Sequence, residues 1–228
     1  SIPILNNKKL VKVMFLDDLL NKPGKEGENF DVIIMAGGYG KRLLPLTKNT
    51  PKCLIQINKT SKIIDFLLSH LIKHNLNTVH FITYFKSEKI KNYIKRKYNS
   101  KLKLFFHKEK KPSGTAGGLS YLHKNKNLSE NFIVINSDVI SEIDFSSLIK
   151  FYKNNKSLFT VVTKLVKQKL SFGSIKNRSE ILYNIEEKPT ISYFINAGIY
   201  VFSKKFLNYI PRSKKKFDMT DLISKIHD

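Results

Sequence analysis

The sequence predicts an α/β protein built on a mainly parallel sheet with crossover helices, and three observations carry that expectation. From Phe30 onward, apolar runs of strand length alternate with longer segments whose apolar residues recur at helical spacing. The first run, Asp31 to Ala36, is apolar at consecutive positions from Val32, as a strand covered on both faces must be. A glycine-rich stretch follows directly, at the strand end where open α/β sheets hold ligands.

The elements follow in order. Ile63 to Lys73 places apolar residues at 63, 64, 67, 68, 71 and 72, one face of a helix. Val79 to Tyr84 reads as the next strand and Ser87 to Tyr98 as the next helix, with Ile90, Tyr93, Ile94 and Lys97 in register. Leu102 to His107 and Phe132 to Asn136 continue the strands around a helix at Gly117 to His123. Phe159 to Val166 and Asn196 to Phe202 are later strands. Upstream, Ile2 to Leu5, the polar Asn6-Asn7 and Leu10 to Phe15 read as strand, turn and strand, and Asp17-Asp18-Leu19-Leu20 as the start of a helix. So small a hairpin is marginal alone in water and needs a domain to pack on. Pro23, Gly24 and Gly27 mark a linker, which divides the chain into a short segment 1–22, a linker 23–29 and a main domain 30–228.

Composition narrows the function. With 228 residues, 41% of them hydrophobic, the chain can bury a core, which excludes intrinsic disorder. Its longest apolar runs fall far short of the roughly 20 residues that span a bilayer, and no charged-then-apolar leader opens it, so no membrane partner is expected. The one cysteine, Cys53, cannot form an internal disulfide and has no zinc-ligand spacing around it, which points to a reducing cytoplasm and no structural metal. A net charge of +23 attracts polyanions. Only Arg42, Arg96, Arg178 and Arg212 are arginines, however, against 37 Lys and 20 Asn, a drift spread over every segment. Nucleic-acid interfaces favour arginine forks and stacked aromatics, so nucleic acid is not an expected partner and small phosphorylated substrates are.

The chemistry concentrates after the first strand, in Met35-Ala36-Gly37-Gly38-Tyr39-Gly40-Lys41-Arg42-Leu43, then Pro45-Leu46-Thr47 and Pro51-Lys52-Cys53-Leu54. Glycines at a strand end let backbone N–H groups approach phosphates or a base, and Arg42 and Lys52 add cations. The spacing fits neither the P-loop, which needs Ser or Thr after Gly-Lys, nor the dinucleotide fingerprint.

These blocks resemble the sugar-1-phosphate nucleotidyltransferases, whose signature is Gly-x-Gly-Thr/Ser-Arg, then Pro-x-Thr, then Pro-Lys-Pro-Leu. Further matches stand in family order: Pro112-Ser113-Gly114-Thr115-Ala116-Gly117, Asn136-Ser137-Asp138, Phe172-Gly173, Glu186-Glu187-Lys188-Pro189 and Asn196-Ala197-Gly198-Ile199-Tyr200. The resemblance covers Asp31 to about Asp228. It implies a Rossmann-like three-layer nucleotidyltransferase fold with a mainly parallel mixed central sheet. The opening residues more loosely resemble the closing part of a CBS repeat.

In that family a sugar phosphate attacks the α-phosphate of a nucleoside triphosphate in line and pyrophosphate leaves, so catalysis rests on positioning, cations and a divalent metal. The resemblance implies three catalytic residues: Arg42 holding the triphosphate, Lys52 neutralising charge between the phosphate groups, and Asp138 holding Mg²⁺. It places Ala36, Gly37, Gly38, Gly40, Lys41, Glu109, Gly114 and Thr115 at the nucleotide, and Gly173, Glu187, Lys188 and Asn196 at the sugar. The family takes a second metal-binding Asp from a Trp-x-Asp segment near the C-terminus. Trp is absent here and the chain stops at Asp228, so the C-terminal end is expected to be incomplete. Asp218 and Asp221 read instead as caps of a helix start.

Gly114-Thr115-Ala116-Gly117 resembles guanylyltransferase members more than thymidylyl or uridylyl ones. Guanine offers N1–H and its 2-amino group as adjacent donors, which one carboxylate accepts together, so Glu109 points to GTP. The alternatives are the same reaction with UTP, CTP or dTTP, or a non-catalytic regulatory domain that binds a sugar nucleotide. Two positions depart from the family pattern: Lys41 stands for Thr or Ser, and Cys53 for Pro, where a small packing residue suffices. His70 and His74 have the i, i+4 spacing of metal ligands without the intervening Glu, and read as surface residues. Nothing readable names the sugar, and a homo-oligomer is among the states the sequence allows.

Overall fold

Consecutive apolar residues in the first long strand force the main sheet into the interior: Val32, Ile33 and Ile34 are all fully buried, Ile33 facing one side and its neighbours the other. The computed structural model describes residues 2–6, 9–14, 30–156, 158–211 and 216–227. Its elements are β1 (Ile2–Asn6), β2 (Lys9–Met14), β3 (Phe30–Ala36), α1 (Ile63–Lys73), β4 (Thr78–Thr83), α2 (Ser87–Tyr98), β5 (Lys103–Lys108) and the short turn α3 (Gly114–Gly117). There follow β6 (Asn131–Asn136), α4 (Phe145–Asn154), β7 (Phe159–Lys169), β8 (Ser174–Arg178), β9 (Ile181–Glu186), β10 (Thr190–Ser203) and α5 (Met219–His227).

The six-stranded sheet runs β5-β4-β3-β6-β10-β7. The first four strands are parallel, and β10 lies antiparallel to both β6 and β7. Strand order leaves β3 in opposite directions toward β4 and toward β6, which makes the gap beyond their carboxyl ends a topological switch point. One face packs Val32, Ile34, Phe81 and Ile135 against Leu68 of α1, Ile94 of α2 and Leu148 of α4. The other packs Ile33, Val134 and Phe202 against Leu119, Phe206 and Leu222 of α5. This is the expected mainly parallel mixed sheet in three layers.

Differences from the sequence expectations have local causes. The helix expected at Gly117 to His123 is the turn α3 continued by a 3-10 turn, Gly118–Leu122. The expected strand Asn196 to Phe202 is the second half of the longer β10, and β7 runs on to Lys169 beside it. His74 is buried rather than on the surface, its Nδ1 3.5 Å from Asp144, which caps α4. Burial and the neighbouring His70 hold its pKa below the usual histidine value. The expected strands at the start are present as the antiparallel pair β1–β2. The helix start at Asp17 and the linker lie outside the described residues.

Candidate active site

The loop after β3 carries the glycines into the switch point. A Cβ on Gly37 would meet Glu109 Oε2, so the glycine loop passes directly over that carboxylate. The Thr47 hydroxyl donates to the Gly40 carbonyl (2.9 Å), which ties the Pro45-Leu46-Thr47 block to the loop. A 3-10 turn, Lys41–Leu43, then presents Lys41 and Arg42 at the surface. Tyr39 braces the loop from outside, its ring 5.6 Å from Tyr84 and 5.2 Å from Phe85.

A second 3-10 turn, Lys52–Leu54, is anchored by buried Cys53 and Leu54. Burial pushes the Cys53 thiol up to about 12, so it packs as a thiol and is no nucleophile at neutral pH. Lys52 Nζ forms an ion pair with Asp138 Oδ2, which the loop after β6 delivers from 86 residues away. Glu109 extends β5, its N–H donating to the Thr83 carbonyl (2.8 Å). The residue is 5% exposed, and burial pushes its carboxyl pKa above the usual range while the Ser113 N–H, 3.2 Å from Oε1, opposes that rise.

These groups line one cavity of about 460 Å³, a size suited to a small-molecule ligand. Its walls bring together Ala36, Gly37, Gly38, Gly40, Lys41, Arg42, Lys52, Glu109, Gly114, Thr115 and Asp138, the whole nucleotide and catalytic set expected from the sequence. Gly173, Glu187, Lys188 and Asn196 are not among its lining residues. Gly173 and Glu187 meet at the base of the β8–β9 hairpin, where a Gly173 Cβ would stand 3.1 Å from Glu187 Oε2. Glu187 and Lys188 form an exposed pair at 3.8 Å. Asn196 braces the β10 bulge, its Oδ1 accepting from Gly198 N–H (2.9 Å) and its amide donating to Tyr200 (2.7 Å). Gly198 in turn presses on Asn136, which does line the cavity.

Sequence reasoning missed Lys216 and Asp218 as cavity residues. The capping expectation holds for Asp221, whose Oδ2 accepts from Asp218 N–H (2.8 Å). The Asp218 carboxylate turns instead to Thr115 N–H (2.9 Å) and Lys216 Nζ (2.7 Å). No local signal marks a contact across 103 residues.

Among the described residues no group of three or more His, Cys, Asp or Glu could hold a metal ion. Magnesium needs only one or two carboxylates when substrate phosphates complete its shell. Asp138, in the same cavity as the cationic side chains Lys41, Arg42, Lys52 and Lys216, fits an ion shared with a phosphorylated substrate and does not fit a self-contained metal cage.

The cavity at the switch point thus gathers cationic side chains and a buried carboxylate. In comparison with known proteins, residues 31–228 match the model of the Nucleotidyl transferase family. The chain belongs to that family, in its sugar-1-phosphate branch. It is 33% identical over 190 residues to the mannose-1-phosphate guanylyltransferase catalytic subunit beta of Drosophila melanogaster, covering 81% of this chain and 51% of that one. It is 28% identical over 215 residues to the UTP–glucose-1-phosphate uridylyltransferase of Synechocystis, covering 86% and 55%. The structure of HddC from Yersinia pseudotuberculosis complexed with GMP-PN shares the fold, with a TM-score of 0.60, 24% identity and coverage of 83% and 82%. The chain spans about half the length of the curated relatives it matches.

Proposed function

We propose that this protein transfers GMP from GTP to a sugar 1-phosphate, releasing pyrophosphate. The observation that carries this reading is the single cavity that joins Lys41, Arg42, Lys52 and Asp138 to the buried Glu109 carboxylate. A phosphate oxygen of the sugar 1-phosphate attacks the α-phosphorus, the bond to the β-phosphate oxygen breaks, and pyrophosphate leaves with both electrons of that bond. Lys52 exchanges Asp138 for the phosphates and offsets charge where nucleophile and nucleotide meet. Arg42, with its planar fork, holds the departing pyrophosphate, and Lys41 adds a point charge beside it. Asp138 would hold magnesium, which when bound supplies further neutralisation of phosphate charge. Glu109 accepts the two donors of guanine in a site that excludes water, where an unmatched base leaves a buried carboxylate unpaired. Glu187, Gly173 and Asn196 receive the sugar hydroxyls, and Lys188 meets the sugar phosphate.

Pyrophosphate release tests this, with Mg²⁺, each of GTP, ATP, UTP, CTP and dTTP, and a panel of hexose and heptose 1-phosphates. Release with GTP above the other four is the expected outcome. Release led by UTP moves the chain toward its uridylyl relatives, and no release from folded protein contradicts the reading.

A further inference from the structure

The segment from Lys216 to Met219 enters the cavity wall from the far end of the chain and is stitched to the turn at residues 113–117. Phe217 N–H donates to the Ser113 carbonyl (2.8 Å), and the N–H groups of Ala116 and Gly117 donate to the Phe217 carbonyl (3.1 and 2.8 Å). Thr115 N–H donates to Asp218 Oδ1 (2.9 Å), and Met219 N–H donates to Thr115 Oγ1 (2.8 Å). Gly114, at φ +87°, sits so close that an added Cβ would meet the Phe217 carbonyl and, at 2.8 Å, Asp218 Oδ1. Lys216 Nζ fixes the second oxygen of Asp218 at 2.7 Å.

An N-cap carboxylate ordinarily accepts from N–H groups of its own helix. Asp218 stands at that position before α5, yet its side chain serves another element, and Asp221 bonds back to the Asp218 N–H in its place. The turn it serves leads to Glu109, because Ser113 N–H donates to Glu109 Oε1. Phe217 N–H on the Ser113 carbonyl and Ser113 N–H on Glu109 Oε1 join the segment before α5 to the buried carboxylate, and Asp218 holds the same turn two residues further on, at Thr115.

We infer that Asp218 is a positioning residue for nucleotide choice: it locks the turn at residues 113–117 so that Ser113 holds the Glu109 carboxylate against the base. The inference rests on the proposed reading of the cavity as a GTP site. It makes the start of α5 part of the specificity device, although Asp218 itself need not touch the base.

GTP and ITP separate this role from simple support of the fold, since ITP keeps N1–H and lacks the 2-amino group. Equilibrium affinities of both with Mg²⁺, for the protein and its Asp218→Ala and Asp218→Asn variants, are read beside thermal melting and kcat at saturating GTP. The unaltered protein should prefer GTP to ITP by about tenfold, the worth of one hydrogen bond to a charged group. Asp218→Ala should weaken GTP by about tenfold and ITP far less, so that the preference collapses while kcat stays within about threefold. Asp218→Asn, which keeps an acceptor for Thr115 N–H, should fall between. Equal weakening of both nucleotides, or none, overturns the inference, and if Asp218→Ala does not fold the Asp218→Asn ratio decides. An unaltered protein that binds neither nucleotide overturns the GTP reading as well; one that prefers GTP while the variants keep that preference overturns only the role of Asp218.

Discussion

Glu109 and Glu187 are both carboxylates held against a glycine at a strand end, Gly37 for one and Gly173 for the other. Glu109 is 5% exposed and takes a backbone N–H, whereas the Glu187 side chain is 71% exposed and pairs with Lys188 at 3.8 Å. The same contrast divides their surroundings. The proposed nucleotide side is walled by the sheet, the braced glycine loop and the stitched start of α5, while on the proposed sugar side every residue of β9 and of β10 from Thr190 to Asn196 is exposed. A preformed pocket loses less conformational freedom on binding than one whose parts must still be ordered. On the proposed reading the triphosphate therefore binds to a finished site and the sugar phosphate to one completed on arrival.

The largest expected effect removes the charge that joins the two sides. Lys52→Ala should cut pyrophosphate release by about 10² to 10³, the scale of losing one preorganised group at developing charge, with melting unchanged. Near-normal turnover would break the mechanism at its centre. Next, Glu109→Gln should lower GTP affinity by about ten- to a hundredfold, since one of two donors then faces an amide N–H group. The sign of its pH dependence follows from burial, which raises the pKa of the free carboxyl, while guanine donors favour the charged form. Affinity is then full at neutral pH and falls on acidification, beginning at a higher pH than an ordinary carboxylate would show. Glu109→Gln should abolish that limb.

Smaller effects belong on the open side. Lys188→Ala should raise KM for the sugar phosphate by about tenfold and leave GTP affinity alone, because an exposed pair with Glu187 adds little to the fold. A loss of GTP affinity in this variant would erase the distinction between the two sides. The smallest effect tests the rigidity behind Glu109. His107, on the same strand, donates to or accepts from His80 Nδ1 at 3.0 Å, and burial drives its pKa down to about 4. Its folded pKa lies below the unfolded value near 6.5, so stability is full above that value and declines as pH falls toward 4. Thermal melting of His107→Gln should show a shallower decline over that window.

The closed side was largely legible in the sequence and the open side was not, for the same physical reason. Strands buried on both faces announce themselves as consecutive apolar residues, and Val32 to Ile34 and Phe132 to Ile135 are such runs. Helix α1 was readable to its end residues because its buried positions recur at helical spacing. In β8 and β9 the apolar residues Ile175, Ile181, Leu182, Tyr183 and Ile185 are exposed, so no buried face gives their pattern a meaning. Helix α4 went unread although Leu148, Ile149 and Tyr152 have the right period and Asp144 caps it. The glycine loop, Lys52 and Asp138 were found through ordered motifs. Asp218 reads from sequence as a cap of its own helix because sequence shows neighbours along the chain, whereas its partner lies on another turn.

Whether the proposed nucleotide side is complete before the sugar side can be read by calorimetric titration of the protein with Mg²⁺ and one substrate at a time. GTP should bind saturably without sugar phosphate, and a productive sugar 1-phosphate should show no saturable binding until the nucleotide side is filled. Tight binding of the sugar phosphate to the nucleotide-free protein, with GTP binding only afterwards, would contradict that order.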